Sequence, residues 1–94
     1  MVVIGLLTLD IHIADAHSLK DKRMVVRRVK DRLRSKFNVA VAEVEHQDLW
    51  QRTQISVVTV GSSDNYVQEG LRLALEEAER SAPECTVHGN IEIV

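Results

Sequence analysis

From Val2 to Ile13 the chain alternates. Val3, Gly5, Leu7, Leu9, Ile11 and Ile13 share one parity, all apolar or glycine, while the other parity begins apolar and ends in Thr8, Asp10 and His12. A period of two is that of a strand with one covered face, and it commits the chain to a sheet that another layer must cover. The period then changes. In "AHSLKDKRMVVRRVKDRLRSKF", Leu19, Val26, Val29, Leu33 and Phe37 fall on one side of a 3.6-residue wheel, and Ser18 with Asp21 three residues on is a capping signal. The spacing predicts a helix over about 18–36.

"NVAVAEVEH" and "RTQISVVTV" alternate again as strands, with "HQDLWQ" between them short enough for a hairpin connection. "GSSDNYVQEGLRLALEEAERS" opens on turn residues and carries Val67, Leu71, Ala74, Leu75 and Ala78 at helical spacing. Pro83 ends this second helix, and "ECTVHGNIEIV" reads as the last strand, with Gly89 expected as a bulge. The order β-α-β-β-α-β is best satisfied by a ferredoxin-like α+β fold, a four-stranded antiparallel sheet with two helices on one face. With 94 residues, 45% of them apolar and 28% charged, the chain fits a single folded domain over 1–94.

The other sheet face is then open, and Asp10, Glu43, Glu45 and Glu92 are expected there with His12 and His88. That face would be acidic and free of aromatic residues. It suits poorly the stacking of bases on a sheet that this topology uses elsewhere to read single-stranded RNA.

Positive charge lies elsewhere. Nine of the twelve Lys and Arg residues fall between Lys20 and Lys36, against only Asp21 and Asp31, so a near-neutral total of −2 hides a strongly basic helix and an acidic remainder. On the wheel Lys20, Arg23, Arg27, Lys30 and Arg34 line one flank, with Arg28 and Arg32 on the other. A solvated helix face would account for such a pattern. Cations in the first turn, however, oppose the helix dipole, and Lys20, Lys22 and Arg23 beside free amides make an anion or phosphate site the sharper expectation.

The strings "SLKDKR", "VAE" and "HQDLWQR" resemble closely the YlxP-like family of small bacterial proteins, over nearly half the chain. The resemblance implies a ferredoxin-like fold and no established catalytic residue. From the usual place of such genes beside those for transcription and translation initiation, it also implies a link to RNA or the ribosome.

The chain's single tryptophan sits in the third string. Topology brings His12, His17, Ser18, Lys22, His46, Asp48, Trp50, Arg52 and Glu84 to one edge, and three roles for Trp50 stay open there: closing the end of the core, anchoring a protein interface, or stacking on a base. Lys22 falls on the core-facing side of the helix, where pairing with Asp48 or Glu84 competes with phosphate binding. Asp10 with His12, and His46 with Asp48, fall short of a closed metal site, so no metal and no cofactor are expected. Cys85 is alone, which excludes an internal disulfide, and a small apolar residue opening a strand describes it. Ser18 is used as a cap, so no nucleophile with a base is discernible and an enzyme is not expected.

The apolar start is too short for a membrane span and lacks the basic flank of a signal peptide, which makes the cytoplasm the expected location, with no membrane partner. Two functions fit. The first is a noncatalytic module that contacts RNA or a ribosomal particle through Lys20, Lys22, Arg23, Arg27, Lys30 and Arg34. The alternative is a homodimer or protein-interaction scaffold for an acidic partner, using Trp50, His46, Asp48 and Arg52.

Overall fold

In a computed structural model covering Met1–Val94, the predicted elements form in the predicted order. They are β1 (Val3–His12), α1 (Leu19–Lys36), β2 (Ala40–Glu45), β3 (Arg52–Gly61), α2 (Asp64–Ser81) and β4 (Thr86–Ile93). The sheet runs β2-β3-β1-β4 with every neighbouring pair antiparallel, so β3 inserts between β1 and β2 and the β1-α1-β2 unit is split. This is the ferredoxin-like arrangement.

The alternation in β1 decides where the helices lie. Val3, Leu7, Leu9 and Ile11 are buried, and they meet Val57 and Ile55 of β3, Val25, Val26, Val29 and Leu33 of α1, and Val67, Leu71, Ala74 and Ala78 of α2 in one core. Leu75 and Phe37 pack at its margin. Ser18 starts α1 as expected: its Oγ accepts from the Asp21 N–H at 3.1 Å, and the Asp21 carboxylate accepts from the His17 N–H at 3.0 Å. Of the first-turn amides these bonds occupy that of Asp21, and they set the Asp21 carboxylate beside the helix N-terminus.

Two sequence expectations fail in the sheet, each for a local reason. Gly89 is no bulge, since it pairs with Leu9 in unbroken register. It is there because α2 comes close, and a Cβ at Gly89 would stand 2.6 Å from Leu75 Cδ1. The bulge occurs instead in β2, where the register shifts between Glu43, opposite Ile55, and Glu45, opposite Gln54. An inserted residue reverses which face the following side chains take. Glu45 stays on the open face, but Glu43 turns to the helix side, so the two do not share the acidic surface expected of them. The open face is also divided along β1. Ile4, Leu6, Val58 and Val60 make one half apolar, and Asp10, His12, Gln54 and His88 make the other half polar.

The glycines allow a test with two signs. A Cβ at Gly5 would clash with Val67 and come within 2.8 Å of Leu71, whereas one at Gly70, inside α2, would meet nothing within 4 Å. Gly5→Ala should destabilise by about 1–3 kcal/mol through overpacking. Gly70→Ala should stabilise by about 0.5–1 kcal/mol by raising helix propensity. Urea midpoints of the two variants should move in opposite directions from wild type.

Candidate nucleic-acid interface

The residue that organises this end of the molecule is Lys22. It lies in the first turns of α1, only 2% exposed, and its Nζ pairs with Glu43 Oε2 at 3.0 Å and donates to the His46 carbonyl. Glu43 in turn accepts from the Thr53 hydroxyl at 2.6 Å. Helix α1, the bulged end of β2 and the start of β3 are thereby tied through one buried network. Lys22 is thus a structural residue and is withdrawn from the expected phosphate contacts. Its partner is neither Asp48 nor Glu84 but Glu43, which shares the helix-facing parity of the buried Val41.

The remaining cations of α1 divide by flank. On the side facing α2, Arg28 holds Glu84 through both guanidinium nitrogens at 2.5 and 3.2 Å and donates to the Ser81 carbonyl at 3.0 Å. Arg32 and Lys36 reach the buried Glu77 at 3.5 and 3.2 Å, joined there by Arg80 at 2.6 Å. Burial by itself would raise the Glu77 carboxyl, but the hydrogen bond from Lys36 and the charges of Lys36, Arg80 and Arg32 outweigh it and hold the group below its ordinary value. The hydrogen bond from Arg28 likewise lowers Glu84.

The opposite flank has no such partners. Arg23, Arg27, Lys30 and Arg34, at spacings of four, three and four residues, line a groove of about 370 Å³ along β2 with Val26, Asp31 and Glu43. None of the four forms an ion pair within 4.0 Å, and neither does Lys20. Arg34 donates to the Val41 carbonyl at 2.8 Å, which covers part of the edge of β2 and fixes the guanidinium without cancelling its charge. From Arg23 to Arg34 the stripe is about 16 Å long at helical rise. Four of the six residues expected to contact phosphate therefore line one groove, and Lys20 lies outside it.

The β2–β3 connection is pinned from both sides. His46 adopts a left-handed backbone, φ 63, at a cost of about 1 kcal/mol for a residue with a Cβ. Its carbonyl accepts from Lys22 and from the Leu49 N–H at 3.1 Å. Gln51 Nε2 donates to the Ala14 and Ala16 carbonyls at 3.2 Å each, while the Ile13 N–H donates to the Gln51 carbonyl at 2.9 Å. On this fixed loop Trp50 is 52% exposed and Leu49 46% exposed. Neither belongs to the core or packs at its margin, so the core closes without the indole. Trp50 instead lines an open depression of about 580 Å³ with His12, Asp48, Leu49, Gln51 and Arg52. Glu84 is absent from this group. It lies with Arg28, Asp15 and Asp21 around a separate hollow, so the expected single cluster is two.

Elsewhere the chemistry is sparse. Cys85 is half-buried, and burial raises its thiol above the ordinary value, which disfavours the thiolate. No three His, Cys, Asp or Glu side chains converge on a common point. Neither helix is long and apolar enough to cross a membrane. An apolar cleft of about 290 Å³ between the end of α1 and α2, lined by Phe37, Val39, Tyr66 and Leu73, carries one carboxylate, Glu69, and no cation.

Residues 4–89 match the model of a family described as "Protein of unknown function (DUF503)". The chain is 40% identical over 73 residues to "Uncharacterized protein YlxP" of Bacillus subtilis (strain 168), covering 78% of this chain and 79% of that one. Among solved structures it is similar to a de novo designed protein with a ferredoxin fold, at TM-score 0.62 and 13% identity over 96% of this chain and 85% of that chain. It is also similar to a C-terminal segment of the alpha subunit of aIF2 from Pyrococcus abyssi, at TM-score 0.53 and 17% identity, covering 99% of this chain and 49% of that one. At such identities these two likenesses concern the fold.

The Lys22 network predicts strong coupling. Lys22→Met leaves Glu43 without its cation and the His46 carbonyl without its donor, and should cost about 2–4 kcal/mol, discounted because Glu43 is partly exposed. Combined with Glu43→Gln it should cost clearly less than the two single changes together, which a double-mutant cycle by urea unfolding measures. A second test follows from the lowered carboxyls. Their contribution is complete above the ordinary carboxylate value of 4.5 and is lost as pH falls through the lower folded values. Glu77→Gln should therefore flatten the fall of melting temperature on the acid side of pH 4.5.

Proposed function

The chain belongs to the DUF503 family, the YlxP-like proteins, and from that membership and the uncompensated flank of α1 we propose that it is a noncatalytic module holding an RNA phosphate backbone, on ribosomal particles or their precursors. The observation that carries the reading is the difference between the two flanks. Where α1 faces α2, its cations are met by Glu77 and Glu84. Where it faces outward beside β2, Arg23, Arg27, Lys30 and Arg34 stand in a row in which four cations meet two carboxylates, Asp31 and Glu43, and none forms an ion pair within 4.0 Å. Such a row repels itself and is relieved by a polyanion.

Arginine suits the task, since its planar fork meets phosphate oxygens two at a time. The groove contains no aromatic side chain, so along α1 the contacts would position a strand without reading it. The open sheet face, with Asp10 and Glu45 in its polar half and Glu92 beside Leu6, carries no comparable row of cations.

A protein partner is the second reading, favoured by the exposure of Trp50 and Leu49 on a fixed loop. Such a partner, or a second copy of the chain, would leave the affinity independent of nuclease treatment.

With four to five phosphates engaged, the logarithm of affinity for single-stranded RNA should fall against log salt with a slope of about −3. Arg23→Gln with Arg27→Gln should reduce that slope by about 1.4, equally for unrelated sequences. Arg72→Gln, whose cation pairs with Glu69 and Glu76 on α2, should leave it unchanged. Fluorescence polarisation across a potassium chloride series measures all three. Absence of binding near 50 mM salt overturns the proposal.

A further inference from the structure

Resting on that reading of α1, we infer that the Trp50 depression is a stacking platform for one unpaired base of the same RNA strand, which makes single-stranded RNA, not duplex, the ligand class. The first ground is rigidity. An exposed indole on a mobile loop would signify little, but Trp50 stands between Leu49, whose N–H is bonded to the His46 carbonyl, and Gln51, which is bonded to the β1–α1 connection by three hydrogen bonds. A loop held in place before binding loses little backbone freedom when a base covers its indole.

The second ground is surroundings. Arg52 and His12 face each other across β3 and β1 and line the same depression, so a cation and an imidazole flank the indole. Every base has a π-face, and an arginine beside it serves both as a further stacking plane and as a contact for the adjoining phosphate. Asp48, on the rim, supplies an acceptor for an exocyclic amino group, a group that adenine and cytosine carry and uracil lacks.

The third ground is continuity. Glu43 lines the groove of α1, and its carbonyl accepts from Gln47 Nε2 at 3.3 Å while its carboxylate pairs with the Lys22 that also holds His46. One wall of the groove is thus bonded to the loop that carries Trp50. A strand tracking Arg34, Lys30, Arg27 and Arg23 arrives at that loop. A base turned over its end then meets the indole.

The test uses the full chain and its own reporter, because Trp50 is the only tryptophan. Short oligo(A), oligo(U) and a blunt RNA duplex of equal length are titrated near 50 mM potassium chloride, recording tryptophan emission alongside polarisation of labelled RNA. Oligo(A) should quench the emission, oligo(U) should quench it less, and the duplex should bind without quenching. Trp50→Ala should weaken oligo(A) binding about tenfold, the scale of one lost base–aromatic stack, with the salt slope unchanged. Trp50→Phe should recover most of that loss, and neither change should alter duplex affinity. RNA binding with the α1 salt slope but with unquenched emission and a Trp50→Ala variant that binds as wild type overturns the platform and leaves the α1 reading standing. Absence of binding to any RNA overturns both. Unchanged oligo(A) affinity of Trp50→Ala, together with loss of a self-association seen by sedimentation, overturns it too and makes Trp50 a protein anchor.

Discussion

An ammonium group taken out of water must be met by charge and oxygen, and the way Lys22 is met sets the geometry of this end of the protein. Glu43 supplies the charge, and the His46 carbonyl supplies the second acceptor. Glu43 faces the helices by plain alternation from the buried Val41, and the bulge beyond it puts Glu45 on the open face. The His46 carbonyl reaches Lys22 from a residue with a left-handed backbone that the surrounding bonds hold in place. One cation at the start of α1 thus ties together the end of β2, an unusual dihedral and the β2–β3 connection. Thr53, buried at the start of β3, completes the shell of Glu43.

The same principle sorts the rest of the helix. The basic excess in α1 matters less than its division, because a buried or half-buried cation that faces a carboxylate is consumed by the fold. Glu77 is the clearest case: it is sheltered in α2, and three cations converge on it from α1 and from its own helix. Arg28 additionally takes a carbonyl at the end of α2, so this flank serves as glue between the helices. What remains on the other flank is charge the fold does not use. That residue of unneutralised cations makes the α1–β2 groove the natural place for a polyanion.

The elements were legible in the sequence because each kept its own period: alternation gave β1 and β3, and a 3.6-residue stripe gave α1, with its serine cap, and α2, after its turn residues. The face assignment of Glu43 was not, because β2 is apolar on both parities, with Val39 and Val41 on one and Ala40, Ala42 and Val44 on the other, and only the packing shows that the first faces the helices. Lys22 was half legible. Its core-facing position was readable on the wheel, but its partner depended on the face that Glu43 takes. Gly89 carried the right signal and the wrong meaning, since a glycine in a strand marks either a bulge or a close neighbour, and only the position of Leu75 separates the two. Glu77 was missed because a carboxylate at the edge of an apolar helix stripe looks like a solvent residue until the cations of α1 are set against it.

The string "HQDLWQR" now separates into two kinds of residue. His46 and Gln51 are spent on bonds to the rest of the fold: one offers its carbonyl to Lys22, and the other bridges to the Ala14 and Ala16 carbonyls. Asp48, Leu49 and Trp50 face outward and make no core contact. Anchors at both ends with presented side chains between them are what a fixed recognition loop requires, whereas a loop that merely joined two strands would need neither the buried lysine nor the bridging glutamine. The indole also costs solubility wherever it is left bare. The loop is held by the buried Lys22 and by Gln51, and its tryptophan is left uncovered by the chain's own core.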